Sequence, residues 1–278
     1  MNVRTLVVTG LTTLLIAAAN ASAQGAATCS DSNMNMGDRM TVRGEERLTI
    51  GGNALSVSLG EGHGLPLKVV GSARSGYEVL LCKAADNEGT LAAVRLQQKG
   101  NEISVDGPAV GDWGGHLLVL APQNADLDID AENGPVSISG IAGQLEARIA
   151  NGPLSLKQIG GSVDVKSTNG PVSFSGGSGD VSITAENGPL TLKLESATWE
   201  GGELRASAKN GPLTVKVPDG YASGIVVERG ARTPFRCPES LCGERPDFFR
   251  DDQTQIAIGT GAPRVHIASS NGPVSIKE

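Results

Sequence analysis

The tripeptide Asn-Gly-Pro recurs at 133–135, 151–153, 169–171, 187–189, 210–212 and 271–273. The first four copies are 18 residues apart; the fifth follows after 23 and the sixth after 61. A fixed period of this length marks an architecture of repeated supersecondary units, each unable to bury its apolar face alone. Before each tripeptide runs an alternating segment, such as Asp126–Glu132, Gln144–Ala150, Ser162–Thr168 and Asp180–Glu186. A shorter one follows it: Val136–Ser139, Leu154–Lys157, Val172–Ser175 and Leu190–Lys193. Alternation of period two means strands, not helices.

Stacking the units aligns columns. Two inward columns come from the long strand: Leu127, Leu145, Val163, Val181, Leu204, Val265, and Ile129, Ala147, Val165, Ile183, Ala206, Ile267. The short strand supplies Val136, Leu154, Val172, Leu190, Leu213, Val274, and Ile138, Leu156, Phe174, Leu192, Val215, Ile276. Like stacked on like, at about 4.8 Å per rung, buries these columns in a continuous core. The expected fold is all-β: a β-solenoid of 18-residue, two-strand rungs behind an irregular β N-terminal part. With 38 glycines and only 8 aromatics in 278 residues, small aliphatics tile a narrow interior and glycines turn its corners. In the corner, glycine can adopt φ > 0, and proline follows where no ladder donor is needed. The column Asn133, Asn151, Asn169, Asn187, Asn210, Asn271 is expected to bond amide to amide as a structural ladder.

The flanks follow the plan less regularly. Ile103–Pro108 reads as a degenerate corner with Asp for Asn, and runs at Leu48–Ile50, Ala54–Leu59, Leu67–Val70 and Glu78–Leu81 as first coils. Ser223–Glu228 and Gln255–Ile258 read as degenerate rungs inside the 61-residue gap. Between them Arg232–Asp252 is polar, and carries Phe235, Phe248, Phe249 and two cysteines. It reads as an ordered side loop, with residues 264–278 as the closing rung and the regular repeats spanning 126–218.

Residues 1–23 read as a signal peptide: Arg4, the apolar run Leu6–Ala19, then Ala21-Ser22-Ala23 as a cleavage site. The run is too short to span a membrane, and no later one is long enough. A tail over 24–44 and a solenoid domain over 45–278 would follow. The segment before Cys29 lacks the pattern of a lipidation site. Loss of Arg4 with the leader leaves 22 basic against 30 acidic residues, net −8, which disfavours a nucleic-acid partner. Cys29, Cys82, Cys237 and Cys242 are an even set in an exported chain, compatible with three disulfide connectivities. A local staple Cys237–Cys242 is one reading, which would leave Cys29 with Cys82 to tie the N-terminus down; the sequence leaves the connectivity open.

His63, His116 and His266 lie outside any ligand spacing, so neither metal nor cofactor is expected. Nucleophile-elbow, zincin and phosphate-loop motifs are absent. Asp126, Asp128 and Asp130 share one strand face, and Glu146 and Asp164 extend it, a pattern that could build a carboxylate or calcium site. A solvated face compensated by Arg148 and Lys166 is the simpler reading, because no aromatic platform accompanies the acids. The opposite outward face presents Ser137, Ser155, Ser173, Thr191, Thr214, Ser275 beside Ser139, Lys157, Ser175, Lys193, Lys216, Lys277. Its Lys157, Lys193, Lys216, Ser155, Thr191 and Thr214 are the candidate ligand contacts, against the alternative of plain solvation.

The chain from about 45 to 278 resembles the bacterial putative-adhesin family of exported β-solenoid proteins. The resemblance is carried by Leu118–Pro122 leading into Ala125–Asp130, by the strand–Asn-Gly–strand units from Leu127 to Val217, and by Ile267–Ile276. Family members usually place a polar residue after Asn-Gly or Ser-Gly; here all six copies have proline, which stiffens the corner. The resemblance implies a non-enzymatic binding or scaffold module at the cell envelope, periplasmic or at the cell surface, and supplies no catalytic residues. Its partner would be an envelope protein or polysaccharide. The alternative is a protein that binds or cleaves polysaccharide through the Asp126–Asp130 face.

Overall fold

The computed structural model describes residues 28–29, 40–60, 64–230, 233–243, 255–259 and 261–278. The expected signal peptide, His63, Phe248, Phe249, most of the 24–44 tail and residues 232 and 244–252 of the expected side loop lie outside the described residues. The fold is all-β, 61% strand and 5% helix, in two large mixed sheets that do not close into a barrel.

The N-terminal part supplies β1 (Val42–Gly51), β2 (Ala54–Leu59), β3 (Leu67–Ser72), β4 (Gly76–Ala85), a short helix α1 (Glu88–Ala93), β5 (Arg95–Lys99), β6 (Glu102–Asp106) and β7 (Trp113–Pro122). The repeats supply β8 (Asp126–Asn133), β9 (Val136–Ser139), β10 (Gln144–Asn151), β11 (Leu154–Lys157), β12 (Ser162–Asn169), β13 (Val172–Gly176), β14 (Asp180–Asn187), β15 (Leu190–Leu194), β16 (Leu204–Asn210) and β17 (Leu213–Lys216). The C-terminal part adds β18 (Gly224–Arg229), β19 (Phe235–Arg236), α2 (Glu239–Cys242), β20 (Gln255–Ile258), β21 (Pro263–Ser269) and β22 (Val274–Lys277).

Sheet I runs β1-β4-β7-β3-β9-β11-β13-β15-β17-β22-β19, and sheet II runs β20-β18-β21-β16-β14-β12-β10-β8-β2-β6-β5. Through the repeats every pairing is parallel and in register, so Leu127 meets Leu145, Leu145 meets Val163, and Ile138 meets Leu156. The five-residue insertion does not shift it: Ile183 still pairs Ala206. All four inward columns are buried, and both sheets contribute to one hydrophobic cluster. The long strands bury a third column as well: Ala131, Ile149, Ser167, Ala185, Ala208 and Ser269. Alanine and serine carry too weak a hydrophobic signal for alternation to reveal it. The insertion also enters the core. Trp199 is buried, its ring lies 6.3 Å from that of Phe174, and its indole N–H donates to Gly179 O at 3.0 Å.

The corners obey a simple hydrogen-bond rule. Gly134, Gly152, Gly170 and Gly188 each donate an N–H to the asparagine carbonyl one rung on, at 2.8–3.1 Å. Val136, Leu154, Val172 and Leu190 donate to the next proline carbonyl at 2.9 Å. Proline thus occupies the intervening position, where no donor is required. The asparagine side chains form a ladder: each Nδ2 of Asn151, Asn169, Asn187, Asn210 and Asn271 donates to the preceding Oδ1 at 2.9–3.2 Å. Asn169→Ala removes two such bonds and should cost about 1–2 kcal/mol, since each contributes about 0.5–1.5 kcal/mol net. A urea melt checks this, and an unchanged midpoint would contradict a stabilising ladder.

The stack departs from chain order at both ends. The β2–β3 unit lies between β6–β7 and β8–β9, and the β21–β22 unit between β16–β17 and β18–β19. Three expectations need correction. Leu48–Ile50 and Glu78–Leu81 belong to antiparallel strands, β1 with β4 and β4 with β7, instead of parallel coils. Gln255–Ile258 is likewise an antiparallel edge strand on β18. β1 and β20 are thus edge strands of the two sheets, each antiparallel to its neighbour. The region expected as a side loop instead contributes β19, which ends sheet I, and Phe235 is buried. Pro234-Phe235 imitates the corner, since Val274 N donates to Pro234 O at 2.9 Å. The first strand begins at Val42, inside the expected tail.

Disulfides join Cys29 to Cys82 and Cys237 to Cys242. Thiol labelling of the denatured, unreduced protein should therefore find no free thiol; label on any cysteine contradicts this pairing.

Candidate functional site

The outer face of sheet I is built from register rows. Ser137, Ser155, Ser173, Thr191, Thr214 and Ser275 are mutual strand neighbours, as are Ser139, Lys157, Ser175, Lys193, Lys216 and Lys277. Alternation forces both rows outward, because the residues between them fill the core. Lys157, Lys193, Lys216 and Lys277 are exposed, whereas Ser155, Thr191 and Thr214 are half-buried by their neighbours. The candidate lysines are not equivalent. Lys193, Lys216 and Lys277 stand on three adjacent strands, while Ser175 separates Lys157 from Lys193. Exposed Arg236 adjoins this basic row as the strand neighbour of Ser275. Sequence reasoning missed Arg236 because it placed the residue in a loop; the Pro-Phe-Arg imitation of the corner was the available signal. Glu195 Oε1 lies 4.0 Å from Lys193 Nζ.

The acidic face of sheet II is organised differently. Arg148 Nη2 lies 3.1 Å from Asp128 Oδ1 and its Nε 3.9 Å from Asp130 Oδ2, and it also binds Glu146. The Glu146 hydrogen bond, followed by the charges of Asp128 and Glu146, raises the guanidinium further above its usual range. Asp126 Oδ2 accepts from Asn53 Nδ2 at 3.3 Å. Asp164 is the strand neighbour of Glu146, and Lys166 that of Arg148. The acids are thus brought together, but around one cation that crosses three carboxylates. Exposed pairs of this kind contribute about 0–1 kcal/mol each.

Nine chains of solved structures match this one. One is a "putative cell adhesion protein" from Clostridium sporogenes, at 12% identity, with 85% of this chain and 98% of that chain covered and a TM-score of 0.34. Another is a "putative adhesin" from Bacteroides fragilis, at 10% identity, 86% and 98% coverage and a TM-score of 0.33. A third is a "putative lipid binding protein" from Parabacteroides distasonis, at 9% identity, 85% and 97% coverage and a TM-score of 0.39. No protein-family model matches the chain, and no curated protein does.

Among the described residues no helix is long and apolar enough to cross a membrane, and no group of three His, Cys, Asp or Glu side chains is placed to hold a metal. His266 is half-exposed beside Arg205. His116 is different: it is buried at 3% exposure, and neither ring nitrogen has a hydrogen-bond partner. Burial, then the charge of Lys68, lowers its pKa below the ordinary histidine value.

Proposed function

We propose that this chain is an exported, non-enzymatic β-solenoid that binds an anionic polysaccharide of the cell envelope on the outer face of sheet I. In this reading the two sheets are the walls of a solenoid with 18-residue rungs, supported by parallel pairing at that offset through the repeats. The carrying observation is the basic row Lys193, Lys216, Lys277 with Arg236 beside it, on a chain whose mature net charge is −8. Cations about 4.8 Å apart on a rigid sheet match a linear polymer that carries a negative charge on each unit. Lys157 extends the row, and Ser155, Thr191 and Thr214 offer hydroxyls alongside.

Co-sedimentation with purified acidic polysaccharide, at low and high salt, tests this. The mature chain should be retained at low salt and released at high salt. Lys193→Glu with Lys216→Glu should abolish retention without changing the unfolding midpoint. Retention unaffected by this double variant, yet lost on Asp128→Asn, would favour the acidic face instead.

A further inference from the structure

We propose that His116 and Met40 form a binding site for a soft monovalent metal ion, Cu(I), on the outer face of sheet I at its N-terminal end. Leu117, Val119 and Ala121 of β7 point into the core, so His116 points outward. It is nonetheless almost fully buried, as are its strand neighbour Cys82 and Leu80 and Ala84 on the same outward face of β4. An imidazole hidden from water with two unsatisfied nitrogens is costly unless something binds it.

A second ligand lies on the same face. A β-carbon built on Gly114, two residues from His116 along β7, would come within 3.5 Å of Met40 Sδ. Glycine at this position leaves the thioether room above the strand. The chain is also tied down here: Cys29 is bonded to Cys82, the strand neighbour of His116. With those two sulfurs locked in a disulfide, the imidazole and the thioether remain as donors.

The composition points the same way. Methionine normally fills gaps in hydrophobic cores, yet among the described residues the buried core contains none. The four methionines are Met1, in the leader, and Met34, Met36 and Met40. Met34 and Met36 lie outside the described residues, and the site rests on His116 and Met40. An imidazole–thioether pair selects Cu(I) over zinc or magnesium by ligand softness, and a d¹⁰ monovalent ion accepts low coordination.

The test uses full-length mature protein with its disulfides intact. Titration with Cu(I) in competition with a chromogenic Cu(I) chelator should give one tightly held ion per chain, and Ag(I) should compete as a redox-inert substitute. Zn(II) should not displace it. His116→Gln and Met40→Leu should each weaken Cu(I) at least about tenfold. Met40→Leu preserves size and apolarity, so it remains informative if His116→Gln disturbs folding. X-ray absorption at the copper edge should show both nitrogen and sulfur neighbours. Absence of stoichiometric Cu(I), a copper shell without sulfur, or unchanged affinity in the Met40→Leu protein would overturn the site.

Discussion

Ile138→Asp is expected to abolish cooperative folding of the chain. Ile138 is fully buried and lies in register between Val69 and Leu156. Removing a side chain of this size from a packed core costs about 2–5 kcal/mol before any charge is considered. The new carboxylate would sit among aliphatic columns with no cation in its row, which adds several kcal/mol more or forces its protonation. Together these approach the whole stability of a typical domain, about 5–15 kcal/mol. Ser137→Asp is the matched control. It points outward between Lys68 and Ser155, and should change stability by no more than about 0.5 kcal/mol. Thermal unfolding followed by circular dichroism separates the two. A stable Ile138→Asp with a disrupted Ser137→Asp would mean that the faces are reversed.

Gly188→Ala should be among the more damaging methyl additions in the corners. Gly188 has φ +144°, and a β-carbon there would lie 2.2 Å from Gly170 O, a backbone atom of the neighbouring rung. Gly220 isolates the conformational part of the effect, having φ +72° and no atom within 4 Å of its β-carbon position. Gly220→Ala should therefore cost about 1–2 kcal/mol, the penalty of left-handed backbone alone. Gly188→Ala must also push two rungs apart, and should cost at least about 3 kcal/mol. Equal losses in urea melts would mean that the corners do not stack as closely as the structure places them.

How much was legible depended on how strongly each residue signalled its place. The in-register columns from Leu127 to Ile276 were legible because bulky aliphatics alternate with polar residues at a constant period. So was the asparagine ladder, whose spacing is printed in the chain. The third buried column was not, since Ala131, Ser167 and Ser269 look neutral to alternation. Trp199 was hidden in an insertion that the period treats as an interruption. Strand direction was the larger gap. Period two marks Leu48–Ile50, Glu78–Leu81 and Gln255–Ile258 as strands, but it carries no information on parallel against antiparallel pairing. The candidate site divides likewise: the lysine row followed from the repeat, whereas Arg236 and the buried His116 depended on tertiary placement at the two ends.

Excision of one complete unit, Gly152–Asn169, tests the stacked-repeat account most directly. It joins Asn151 to Gly170, restores Asn-Gly-Pro, and places Ile138 against Phe174 and Arg148 against Thr184 in unchanged register. If each unit contacts chiefly its neighbours, the shortened chain should still unfold in one cooperative transition. Its long dimension by solution scattering should shrink by about one 4.8 Å strand spacing. An in-phase excision that fails to fold, or an excision out of phase with the 18-residue period that folds as well as the in-phase one, would contradict the account.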